Sequence, residues 1–138
     1  MKKTIFVIFS LSMIIMLATA CGSTKTKPFE TMSTDDVVSA TVELLPPDVI
    51  IDLSFEEIVE LVEILQTVEI YEQDDSYRDY AGQAVIYNIT KNDGTQQIIM
   101  AYNPFIVIDE IGYKTKYEPC EELNALGNTI AQTPFAAN

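Results

Sequence analysis

Four carboxylates crowd one short stretch of this 138-residue chain, at Glu72, Asp74, Asp75 and Asp79, with Tyr77, Arg78 and Tyr80 among them. Oxygen ligands in that number suit a hard cation such as calcium. The spacing lacks the glycine and the closing glutamate that a calcium loop needs at set positions, so the stretch reads as a solvated surface loop. A second concentration runs from Tyr102-Asn103-Pro104-Phe105 to Tyr113-Lys114-Thr115-Lys116-Tyr117. Aromatic rings beside cationic side chains make a binding surface for a peptide, a glycan or a partner protein. The candidates are Tyr102, Phe105, Tyr113, Lys114, Lys116 and Tyr117. Tyrosines alternating along a strand equally fill a core edge or cover a sheet face. A third cluster is Glu118-Pro119-Cys120-Glu121-Glu122. A thiolate is favoured near a helix N-terminus, but the flanking glutamates oppose it by like charge. Cys120 therefore reads as a small buried residue at the start of the last helix rather than as a nucleophile. Glu121 and Glu122 are the nearest approach to the two acids of glycoside chemistry, with no further group placed to assist them.

What the chain lacks narrows the chemistry further. It contains no histidine, the commonest general base and metal ligand. Ser–His–Asp and Cys–His machinery is thereby excluded. With only Cys21 and Cys120 to offer, the usual zinc sites fail too, and no metal or cofactor is expected. The balance of 21 acidic against 8 basic residues gives a net charge of −13. Such a surface repels phosphate backbones, so no nucleic-acid partner is expected.

The two cysteines have different settings. Cys21 follows Leu17-Ala18-Thr19-Ala20, at the end of an apolar run from Ile5 that is itself preceded by Lys2 and Lys3. A cationic start, a short apolar stretch and small residues ending on cysteine describe an export signal with a lipidation site. The apolar run falls short of the roughly 20 residues that a spanning helix needs. On this reading residues 1–20 are removed and Cys21 carries the lipid, which holds the protein at the outer face of the cell membrane. Ala18 stands three places before the cysteine, where such signals usually carry leucine. Ala18-Thr19-Ala20 is also a small-x-small cleavage site, and cutting there releases a secreted protein in which a Cys21–Cys120 bridge is open. Loss of Lys2 and Lys3 leaves 21 acidic against 6 basic residues, a net charge of −15.

The elements that position these residues follow from periodicity. After the polar stretch Gly22 to Pro28, the expected layout is a tether over residues 21–35, a single domain over 36–133 and a disordered tail over 134–138. Val38, Ala40, Val42 and Leu44 alternate with polar residues, which predicts a half-buried strand ending at Pro46-Pro47-Asp48. Val49 to Leu53 make a short apolar strand. Ser54 and Glu57 form a capping box ahead of a helix carrying Ile58, Leu61, Val62 and Leu65 on one face. Val68 to Tyr71 read as a strand. Strands over 83–91 and 95–102 flank the turn Asn92-Asp93-Gly94, and Phe105–Ile108 and Ile111–Tyr117 form a further hairpin. Pro119 is suited to the first turn of a closing helix with Leu123, Leu126 and Ile130. The order ββ-α-β-ββ-ββ-α predicts an α+β domain, an antiparallel sheet of hairpins with two helices on one face.

The string from Ala81-Gly82-Gln83-Ala84 through Asn103-Pro104-Phe105-Ile106-Val107-Ile108-Asp109 to Gly112-Tyr113-Lys114-Thr115-Lys116-Tyr117-Glu118-Pro119-Cys120-Glu121 resembles small uncharacterised lipoproteins of Gram-positive, clostridia-like bacteria. Similar domains occur in extracytoplasmic regions of membrane proteins, including antirepressor-type metallopeptidases. The resemblance implies a location and a recurrent module, and no activity. The expected protein is a membrane-anchored, non-enzymatic module that binds a ligand or a partner protein. A sensory or regulatory module of a membrane signalling system is the alternative.

Overall fold

Alternating β-branched residues build most of the molecule. The computed structural model describes residues 24–133; the expected export signal, Cys21 and the tail over 134–138 lie outside the described residues. Strand β1 (Val37–Leu45) turns through Pro46-Pro47-Asp48 into β2 (Val49–Asp52), followed by helix α1 (Phe55–Thr67) and β3 (Ile70–Gln73). Two hairpins come next, β4 (Ala84–Lys91) with β5 (Gln96–Tyr102), and β6 (Phe105–Ile108) with β7 (Ile111–Thr115). Helix α2 (Tyr117–Gln132) closes the chain. This is the expected α+β architecture, with its ββ-α-β-ββ-ββ-α order.

All seven strands join one antiparallel sheet in the order β2-β1-β4-β5-β6-β7-β3. Consecutive strands are neighbours except on either side of β3, which is separated from β2 and from β4 in the sheet. Helix α1 begins after β2 on one edge and delivers the chain to β3 on the other. Its start is the expected capping box: the Ser54 hydroxyl accepts the Glu57 amide at 3.3 Å, and the Glu57 carboxylate accepts the Ser54 amide at 2.7 Å.

Both helices lie on one face of the sheet. Ile58, Leu61, Val62 and Leu65 of α1, with Cys120, Leu123 and Ile130 of α2, are buried against Val42, Leu44, Val85, Tyr87 and Ile99. Gly127 explains how closely α2 approaches. A Cβ there would collide with Val85 and stand 3.2 Å from Val42 and 3.3 Å from the Tyr87 hydroxyl. That hydroxyl donates to the Leu123 carbonyl at 2.6 Å, tying helix to sheet inside the core.

Two parts of the layout differ from expectation. The domain does not start at residue 36. Thr26 and Ile70 exchange both backbone hydrogen bonds, at 3.0 and 2.8 Å, so the chain lies along the open side of β3. Phe29, only 2% exposed, and Met32 enter the core, and Ser33 caps a short 3-10 turn at Thr34–Asp36. Two apolar side chains outweigh the polar composition around them. Nor is the acidic loop simply solvated. Its 3-10 turn at Ser76–Asp79 folds over the sheet face opposite the helices, where the Asp74 amide donates to the Gly112 carbonyl at 2.9 Å.

Candidate functional site

Strand parity decides where the aromatic and cationic candidates go, because neighbouring residues point to opposite faces. Register pairs Tyr102 with Phe105 and Phe105 with Lys114. These three stand in one row on the face away from the helices. Tyr113, one residue before Lys114, turns to the other face and packs against the core. Lys116 is the residue before α2 and Tyr117 its first member, 59% exposed. The six residues therefore do not form the contiguous surface expected from their clustering in sequence. That expectation is corrected by the pleat.

The row on the outer face is also partly covered. Phe105 is only 5% exposed, because Tyr80 and Tyr77 lie against its ring with centroids 5.7 and 6.5 Å away. Tyr102 is half-buried, with its hydroxyl close under Gly82. The loop thus supplies the partners that the strands lack, and an aromatic corner of Tyr77, Tyr80, Tyr102 and Phe105 results. Beside it is a shallow cavity of about 240 Å³ lined by Tyr80, Gln83, Tyr102, Asn103 and Asn124, among others. Tyr80, 62% exposed, is the ring this corner offers to solvent. Tyr77 and Tyr80 were legible only as aromatics scattered among acids. Nothing in their spacing announces that the loop folds back on the sheet.

The two lysines are occupied. Lys114 Nζ stands 2.7 Å from Glu72 and 3.6 Å from Asp74, and Lys116 Nζ is 2.9 Å from Glu69. Hydrogen bonding to Glu72 and to Glu69 raises the pKa of each lysine, so both remain cations at neutral pH. Exposed pairs of this kind add little stability. They do neutralise the positive charge that was to serve a ligand.

Two carboxylates of the acidic loop are engaged by groups of the protein itself. Asp74 accepts the Ser76 amide at 2.9 Å, and Asp75 accepts the Gly112 amide at 2.8 Å and Gln73 Nε2 at 3.2 Å. These bonds hold both carboxyls below the usual range, Asp74 chiefly through Ser76 and Asp75 chiefly through Gly112. They fasten the loop to β7.

Cys120 is fully buried in the first turn of α2, its thiol donating to the Phe105 carbonyl at 3.2 Å. Burial pushes its pKa up to about 12, which keeps it a thiol. The structural reading of this residue agrees with its surroundings. Elsewhere, Glu60, Glu63 and Glu122 line an open groove of about 530 Å³ between the helices, and Glu121 is not among them. The glutamate pair of the sequence is thus divided between different surroundings.

No protein-family model, no curated protein and no solved structure matches this chain.

Proposed function

We propose that this chain is a lipoprotein, held at the outer face of the cell membrane by a lipid on Cys21, and that its folded domain is a non-enzymatic module binding a ligand or a partner protein. The observation that carries the reading is the run Leu17-Ala18-Thr19-Ala20-Cys21 behind a short apolar stretch and paired lysines. Kinship with the small lipoproteins of Gram-positive, clostridia-like bacteria belongs to the same proposal. Two features of the fold support it. The thiol of Cys120 is enclosed in the core, which disfavours a disulfide as the purpose of Cys21. The cysteine is also close in sequence to the sheet: Thr26 is bonded to it, and five residues reach at most about 18 Å. A lipid there keeps the domain beside the headgroups, while the charge of −15 holds its surface off anionic lipid.

The test is intact mass and membrane fractionation of the full-length chain and of Cys21→Ala, both expressed in a Gram-positive host. Wild type is expected in the membrane fraction with a diacylglyceryl mass at its N-terminus, and Cys21→Ala in the soluble fraction or unprocessed. A soluble wild-type protein with an unmodified N-terminus overturns the anchor.

A further inference from the structure

The sheet has two edges, and they are treated differently. The β3 edge is paired by Thr26. The β2 edge has no strand beside it among the described residues. Leu53 donates to the Ala40 carbonyl at 2.9 Å, and the register Val42↔Ile51 and Glu43↔Ile50 alternates from there. In an antiparallel ladder this turns the amide and carbonyl of Ile51 towards β1, and those of Ile50 and Asp52 outwards. Four backbone groups therefore stand ready for another strand, the arrangement on which strand addition depends. β2 contains no lysine, proline or bulge to blunt it. Apolar surface gathers at the same edge: Ile50 is 64% exposed, and Leu45 and Val49 are exposed as well.

We propose that this edge docks an extended segment of a partner protein, which adds a further strand beside β2. The proposal rests on the reading of the domain as a binding module and names its partner's chemistry. Charge selects that chemistry. Glu43, Asp48 and Asp52 surround Ile50, and no ion pair reaches them among the described residues. A second copy would set these carboxylates against their own kind, across molecules each of net charge −13. The fitting segment is instead cationic and apolar. Opposite Ile50 it carries a β-branched residue, and two places along, opposite Asp52, a lysine or arginine.

The probe is a synthetic peptide with threonine at every second position and valine and lysine alternating between, titrated into the full-length chain in detergent. Its valine and lysine amides face β2. N-methylation of those amides is expected to weaken binding by at least about tenfold, through lost hydrogen bonds. N-methylation of the threonine amides, with the same charge, is expected to spare it. Ile50→Pro removes the outward amide without touching the β1 ladder and is expected to abolish binding with the fold intact by circular dichroism. Asp52→Lys is expected to transfer preference to a peptide with glutamate in place of lysine, whether or not Ile50→Pro folds. The proposal is overturned if the two methylated peptides bind alike, if the unmodified peptide does not bind, or if sedimentation shows a dimer that Ile50→Pro dissolves. Fractionation of the same preparation separates the two readings. A soluble chain that binds the peptide loses only the anchor; an anchored chain that ignores it loses only the edge.

Discussion

Gly112 shows how one missing side chain shapes the outer face. A Cβ there would collide with the Asp74 carbonyl and stand 2.7 and 2.9 Å from the Tyr77 ring, so the loop lies where only glycine permits it. Gly112→Ala is expected to cost about 1–3 kcal/mol by overpacking, read as a lower urea midpoint together with greater solvent exposure of Tyr77. The carboxyls of Asp74 and Asp75 hold the same loop and make it acid-sensitive. Their folded pKa values lie below the unfolded value of about 3.9. They therefore favour the fold fully above that value, and the contribution is lost as pH falls through the folded values. Following the Gly112 amide by NMR from pH 6 downwards is expected to show the Asp75 contact kept past the unfolded carboxylate value of about 3.9, and lost only as pH falls through the lower folded one. Asp75→Asn is expected to flatten that response. The candidate site was legible at this scale as residue types only. Lys114 and Tyr113 are adjacent in sequence and separated by the sheet, and no spacing tells which acid will claim a lysine.

At the scale of elements, local chemistry was enough for most of the chain. Ser54 and Glu57 announce α1, and the alternation through Val85, Tyr87 and Ile89 announces β4, because both signals rest on short-range geometry. The strand order depends on long-range pairing, such as β1 with β4 and β3 with β7, and periodicity carries no information about partners. The segment around Phe29 was hidden for a different reason. A lone aromatic amid threonines, lysines and proline has no period to detect, although its burial joins the segment to the core. Phe29→Ala is expected to destabilise the domain by about 3 kcal/mol, measured by urea unfolding. Hydrogen exchange in the same variant is expected to show faster opening of the Thr26 and Ile70 amides than of those in β4.

For the whole molecule, charge is the dominant collective property. The chain has 21 acidic and 8 basic residues, while its ion pairs among the described residues involve only Lys114 and Lys116. Repulsion among the remaining carboxylates opposes compactness. Raising sodium chloride from about 20 to about 200 mM shortens the screening length and is expected to raise the melting temperature. A fall would mean that the ion pairs outweigh the repulsion. Because one sheet and one core engage every strand and both helices, far-ultraviolet dichroism and tyrosine fluorescence are expected to report coincident transitions.

The pairing of Thr26 with Ile70 also decides how the domain answers force. A pull on the N-terminal segment reaches the sheet edge through that pair of hydrogen bonds and the Lys25 ammonium over the Tyr71 ring, which peel apart without shearing the ladder. The next resistance is Phe29, seated in the core three residues on. The stretch between them is three residues, at most about 10 Å long when fully extended. A single-molecule tether through Thr24 should therefore record a small early lengthening before the cooperative rupture. The edge pair acts as a mechanical fuse, giving way while the sheet stays whole.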